Sequence, residues 1–166
     1  MQNPQRERQP VHWFRKVLAF SLLFFCLWFI WSNSMLSPVE SARRSRAVAE
    51  YLTRFLRIFA PNHSAIKAYL IRNVRKVAHA VEFFTLGSVC AIILLLLKWI
   101  NAHMVLHAVL LLLAVAVTDE TIQLFSRRGS QVSDILLDFS GGMAGLCAAF
   151  LILLITRAMF IRKPNK

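Results

Sequence analysis

Long apolar blocks alternate with short polar interruptions along this chain. Apolar runs near 20 residues match a bilayer core crossed as a helix. The pattern predicts four membrane spans, at about residues 14–31, 77–97, 104–125 and 134–156. The first block, Phe14–Trp31, is rich in Phe and Leu and follows a polar segment carrying Arg6 and Arg8. A secretory signal has a short apolar core and a small-residue cleavage site. This run has neither and ends in Trp28 and Trp31, so it reads as a retained span with tryptophans at the membrane boundary.

Between the first two spans the period changes. Ala47, Val48, Tyr51, Leu52, Phe55, Leu56 and Phe59 recur at helical spacing, and Arg43, Arg46, Glu50, Arg54 and Arg57 fill the other side. This predicts an amphipathic helix over about 41–59. Such a helix lies in the headgroup region or caps the span ends as a lid, and the two readings are compatible. Pro61 and Asn62 end it. The next helix starts near Ala65, enters the membrane near Val77 and leaves it at Lys98 and Trp99. Only Ile100, Asn101, Ala102 and His103 separate it from the third span, so those two form an antiparallel hairpin. Ser126–Ser133, with Gly129, is a turn, and Arg157, Arg162 and Lys163 form a basic tail. The expected fold is all-α: one domain over 1–166, an integral membrane four-helix bundle with an interfacial amphipathic helix between spans one and two.

Composition agrees. Hydrophobic residues make up 57% of the chain and charged ones 17%, against roughly half and a quarter in soluble domains. The net charge of +12 sits on residues flanking apolar blocks, which points to membrane lipids with anionic headgroups and not to nucleic acid. Cys26, Cys90 and Cys147 lie singly inside apolar runs and read as small hydrophobes. Lys and Arg divide almost evenly between the two faces, so the basic segment before span one is the only guide to orientation. It favours both termini in the cytoplasm.

Topology then gathers the acids. With four crossings, the 1–2 and 3–4 loops share a face. Of the eight Asp and Glu, Glu82, Asp119, Glu120, Asp134 and Asp138 all fall within about two turns of that face. Ionisable groups in a span are costly and must meet each other or a wet pocket. Arg72, Lys76, His79 and Glu82 step by helical spacing along one stripe. Asp119 and Gln123 share a face with Glu120 beside them, Asp134 and Asp138 share the start of span four, and Arg127 and Arg128 lie between. Each element also has a simpler use. Asp134 would serve as a helix cap, His79 and Glu82 as a hydrogen-bonded pair, and Asp119 and Glu120 as partners of Arg128. Gly141 and Gly145 form a small-xxx-small face suited to helix packing.

At these residues the sequence resembles the VanZ-like family, from about Trp31 to Gly145. Trp31-Ser32-Asn33-Ser34 is a loose first block. Lys76-Val77-Ala78-His79-Ala80-Val81-Glu82-Phe83, closing on Leu86-Gly87, is the second. Asp119-Glu120-Thr121-Ile122-Gln123, then Arg128, Asp134, Asp138, Gly141 and Gly145, is the third. The family usually has Tyr at Phe83 and Gly at Arg127, and Pro is common near Ser126. The resemblance implies a cell-envelope protein of a Gram-positive bacterium, related to proteins that lower teicoplanin susceptibility.

Two functions are expected from these readings. In the first, Lys76, His79, Glu82, Asp119, Glu120, Gln123, Arg128, Asp134 and Asp138 line a polar site for a lipid headgroup, a lipid-linked wall intermediate or a glycopeptide, with Arg72, Lys76 and Arg128 on the anionic groups. In the alternative, a membrane-embedded enzyme uses His79, Glu82 and Asp119 as acid–base groups, or Glu82, Asp119 and Asp134 on a hard divalent cation. No H-E-x-x-H motif and no nucleophile elbow is present, so the sequence assigns no metal and no cofactor. The acids stop at one end of the spans, which argues against an ion pathway.

Overall fold

A computed structural model describes residues 9–59, 68–69 and 72–161. Among them it has five helices and no strand: α1 (Gln9–Ser34), α2 (Pro38–Phe59), α3 (Val74–Leu96), α4 (Ala102–Phe125) and α5 (Val132–Ile161). Four segments, Trp13–Ser34, Val74–Leu96, Ala102–Phe125 and Val132–Thr156, are long and apolar enough to cross a membrane. The fold is the expected all-α one. The expected helix start near Ala65 and break at Pro61 and Asn62 lie outside the described residues. So do Arg6, Arg8, Arg162 and Lys163, and the side chains of Leu56, Arg57, Phe59 and Arg157.

Small residues decide how the helices meet. In lipid no hydrophobic force draws apolar helices together, so close backbone approach and packing must do it. The tightest interface is between α3 and α5. A Cβ on Gly145 would collide with the Phe84 carbonyl, one on Gly87 with the Gly142 carbonyl, and one on Gly141 would lie 2.7 Å from the Ala80 oxygen. The Ser88 hydroxyl reaches across to the Gly145 carbonyl at 3.3 Å. α1 packs on α3 and α4, and α5 packs on the same two helices. Ile30, Phe83, Leu86, Leu112 and Ala116 are buried where they meet.

The outer surface is apolar. Phe14, Leu18, Phe24, Phe25 and Trp28 of α1 are exposed, as are Leu151, Ile152 and Leu154 of α5. An apolar surface of this extent marks contact with lipid or protein in place of water. Trp28 is exposed as a boundary tryptophan would be, but Trp31 packs against the core with its indole N–H buried and unpaired.

α2 begins at Pro38, ahead of the expected start near Ser41, because Ser37 and Glu40 form a capping box. The Glu40 amide donates to the Ser37 hydroxyl at 3.3 Å, and the Ser37 amide donates back to Glu40 Oε2 at 3.2 Å. Pro38 holds the first helical position, where its missing N–H costs nothing. Hydrogen bonds from Ser37 hold the Glu40 carboxylate below its usual range. Ala47, Val48, Tyr51 and Phe55 of the amphipathic helix are exposed, as suits a helix bedded in headgroups.

Both turns between spans use a left-handed residue. After α3, Lys98 has φ 55°, the Trp99 amide donates to the Leu94 carbonyl at 2.8 Å and the Lys98 amide to Leu95 at 3.2 Å. After α4, Arg127 has φ 55°, the Arg128 amide donates to Gln123 at 3.0 Å and the Arg127 amide to Leu124 at 3.1 Å. This is the Schellman arrangement. The left-handed residue of the second turn is Arg127, not Gly129, which explains why glycine suits that position.

Candidate functional site

The second turn delivers Arg128 inward. Its side chain is 6% exposed, and Nη1 donates to the Asn33 backbone carbonyl at the end of α1, 2.8 Å away. Among the described residues it does not pair directly with a carboxylate, the pairing the sequence had suggested. Burial pulls the guanidinium below its ordinary pKa, and nearby Arg75 does the same, while Asp119, Glu120 and Glu82 hold it up.

Around Arg128 three helices contribute acids. The Ser34 hydroxyl at the end of α1 donates to Asp119 Oδ1 on α4 at 2.5 Å. The Gln123 amide, one helical turn on, donates to Asp119 Oδ2 at 2.8 Å and to Glu120 Oε1 at 2.9 Å. Glu120 Oε2 also accepts the Gln131 amide at 3.3 Å and so ties the turn to α4. Asp119, Glu120 and Gln123 are almost fully buried.

On α3, the Asn33 amide donates to Glu82 Oε1 at 3.0 Å, and Arg44 of α2 donates to the Asn33 side-chain oxygen at 3.0 Å. His79 Nδ1 lies 3.8 Å from Glu82 Oε2 and 3.7 Å from Asp119 Oδ2, too far for hydrogen bonds. His79 and Glu82 are therefore neighbours and not the bonded pair expected from their spacing. Lys76 pairs with Asp134 Oδ1 at 2.5 Å. Asp134 sits in the first turn of α5, where the helix dipole favours negative charge, and spends that charge on Lys76 more than on capping.

Asp138, one turn further along α5, is 1% exposed and its Oδ2 has no hydrogen-bond partner. His79 Nδ1, Glu82 Oε2 and Arg128 Nε are likewise buried and unpaired. The structure thus brings Lys76, His79, Glu82, Asp119, Glu120, Gln123, Arg128, Asp134 and Asp138 to one end of the bundle. Gly141 and Gly145 lie against α3, and Arg72 is exposed.

Four residues outside the expected site join it. Asn33 and Ser34 close it from α1, and Arg44 and Arg75 flank it. The Trp31–Ser34 block was the only sequence signal for the first two. A cavity of about 260 Å³ opens between α1, α2 and α3. Arg44, Arg75, Arg128, Glu82 and His79 stand on its polar side, and Phe29, Leu36, Val48 and Val74 on its apolar side. A second opening of about 550 Å³ lies between α3 and α5, with Lys76 and Asp134 at its mouth and Val77, Val81 and Phe84 along it.

No curated protein and no solved structure matches the chain. The family model described as VanZ/LLP1 matches residues 17–155, which include all four spans almost entirely and every residue of the polar cluster. On that match, over most of its length, the chain belongs to the VanZ/LLP1 family.

Proposed function

We propose that this VanZ-like membrane protein holds the anionic or zwitterionic headgroup of a membrane lipid or lipid-linked wall intermediate. The occupied site would be the cavity between α1, α2 and α3. The observation that carries this reading is the meeting of three guanidinium groups with an apolar wall in one opening. Arg75 has no hydrogen-bond or ion-pair partner among the described residues, and Arg128 keeps a buried, unpaired Nε–H. Arg75 and Arg128 also repel one another, so a phosphate between them relieves both. Phe29, Leu36, Val48 and Val74 give an acyl or prenyl chain somewhere to lie. The second opening suits this role less, because its Lys76 is already committed to Asp134.

With both termini in the cytoplasm, the cluster faces outward, where wall intermediates and glycopeptides meet. In a Gram-positive envelope, occupancy of this site would then alter teicoplanin susceptibility. The test uses the purified chain floated with vesicles of phosphatidylglycerol or of phosphatidylcholine, alongside glycopeptide susceptibility of a deletion strain carrying each variant. Arg75→Ala and Arg44→Ala are expected to weaken anionic-lipid retention by about 10-fold, the value of one charge-assisted contact. Wild-type retention and susceptibility in both variants at normal expression would remove the proposal.

A second reading, an enzyme acting on a lipid-linked substrate, is supported by His79, whose unpaired Nδ1 faces Glu82 and Asp119 beside the same cavity. Turnover of a labelled undecaprenyl-linked lipid, abolished by His79→Gln, would favour it over simple binding.

A further inference from the structure

We propose that His79, Asp119 and Asp138 bind one divalent transition-metal cation, of the Zn²⁺ class, at the buried centre of the polar end. One ligand atom from each lies within 4.8 Å of the other two, and the three residues come from α3, α4 and α5. Asp138 is 1% exposed and makes no hydrogen bond through Oδ2, and His79 Nδ1 is buried, unpaired and 3.7 Å from Asp119 Oδ2. A void of about 10 Å³, room for a single small ion or water, borders His79 and Asp138, with Glu120 and Asp134 adding negative charge to its wall and Arg75 and Lys76 adding positive charge. A buried carboxylate left without a partner is expensive, and nearly all are paired or coordinate a metal. Here Lys76 is taken by Asp134 and Arg128 by Asn33, so neither supplies that partner through a direct bond.

The donor set selects the ion. One imidazole with two carboxylates suits first-row transition metals better than Mg²⁺ or Ca²⁺, which prefer oxygen alone. Tetrahedral ligands at about 2.1 Å from the ion stand about 3.4 Å apart, so the present spacing closes modestly on binding. Three protein ligands leave a fourth position for water or substrate. Asp119 is already oriented by the Ser34 hydroxyl and the Gln123 amide, the supporting shell a metal ligand requires. The sequence assigned no metal because the ligands are spread over three helices and form no short motif. Of the three carboxylates in the hard-cation alternative, Glu82, Asp119 and Asp134, this site shares only Asp119. The site meets the headgroup cavity at His79, which lines both, while its other two ligands, Asp119 and Asp138, do not line that cavity.

The experiment uses the full chain, purified without a polyhistidine tag, stripped with chelator and placed in lipid nanodiscs. Zn²⁺ retained after dialysis is measured by mass spectrometry, and Co²⁺ serves as the optical probe. The parent is expected to keep about one Zn²⁺ per chain, and its Co²⁺ form to absorb with the intensity of a four-coordinate ion. Asp138→Asn and His79→Gln each weaken binding by about 100-fold or more, and Ser34→Ala by about 10-fold, the range for a supporting partner. The double variant His103→Ala/His107→Ala, at the far end of α4, binds like the parent. Failure of the parent to retain Zn²⁺, unchanged binding in Asp138→Asn or His79→Gln, or loss of binding in the His103/His107 variant would each overturn the site. If Asp138→Asn does not fold, the parent's Co²⁺ spectrum decides, and a weak six-coordinate spectrum counts against it. Arg44→Ala separates the two proposals, because Arg44 lines the headgroup cavity and not the small void, and the variant is expected to lose anionic lipid and keep the metal.

Discussion

The turn after α3 and the turn after α4 have the same backbone. Each ends its helix with one non-glycine residue at φ 55° and the same pair of carbonyl-satisfying hydrogen bonds. The residue after each left-handed position has a different fate. The first turn presents Trp99, 46% exposed, at an end where Lys98, His103 and His107 are also exposed. The second drives Arg128, 6% exposed, among buried acids. Among the described residues the buried polar side chains, from Ser34 and Ser41 to Asp134 and Asp138, all lie at that second end. Helix termination is thus generic, and the end of the bundle at which it occurs decides whether its next residue anchors the boundary or neutralises a buried cluster.

The largest effect expected from this contrast is at Arg128. Removing the guanidinium breaks its charge-assisted bond to the Asn33 carbonyl and takes a positive charge from beside the buried acids, which costs about 1.5–3 kcal/mol. Trp99→Ala, at the exposed turn, is expected to change stability by about 0.5 kcal/mol. Unfolding of both variants in mixed micelles checks this, and equal losses would mean that the two ends are not distinct. Arg127→Gly and Lys98→Gly probe the shared backbone. Each relieves about 1–2 kcal/mol of left-handed strain and gives back about 0.5–1 kcal/mol of glycine entropy. A similar small gain at both turns is the expected outcome, and a gain at only one would show that the turns are not equivalent.

The smallest effect concerns helix starts. α4 begins on Asn101, whose side-chain oxygen accepts the Met104 amide at 2.9 Å and does not titrate. α2 begins on the Ser37–Glu40 box, which does. Because the folded-state pKa of Glu40 is lowered, chiefly by the Ser37 hydroxyl, its contribution is present above the ordinary carboxylate range. It fades as pH falls through the lowered value. Amide exchange at the start of α2 should therefore quicken in acid relative to the start of α4, and Ser37→Ala should remove that difference.

Much of this fold was readable from block length alone, since four apolar runs allow few arrangements and span parity puts Glu82, Asp119 and Asp134 at one end. The partners within that end were not readable. Spans that are apolar on nearly every other side carry only short polar stripes at one end, and these do not say which neighbouring helix each stripe meets. Nothing in the sequence therefore told that Asp138 turns towards His79 while Asp134 turns to Lys76. Asn33 and Ser34 were hidden because short polar residues at a span end are common, and only the approach of α1 to α3 and α4 gives them Glu82 and Asp119. The capping box at Ser37-Pro38-Val39-Glu40 was available from spacing, and it sets the earlier start of α2.

The shared end rests most directly on sidedness. In a background with Cys26, Cys90 and Cys147 replaced, single cysteines at Ser37, Gly129 and Asn101 can be labelled in intact cells with an impermeant maleimide. Labelling of Ser37→Cys and Gly129→Cys from one side, with Asn101→Cys reached only from the other, is the expected result. Ser37→Cys and Gly129→Cys on opposite sides of the membrane would contradict it.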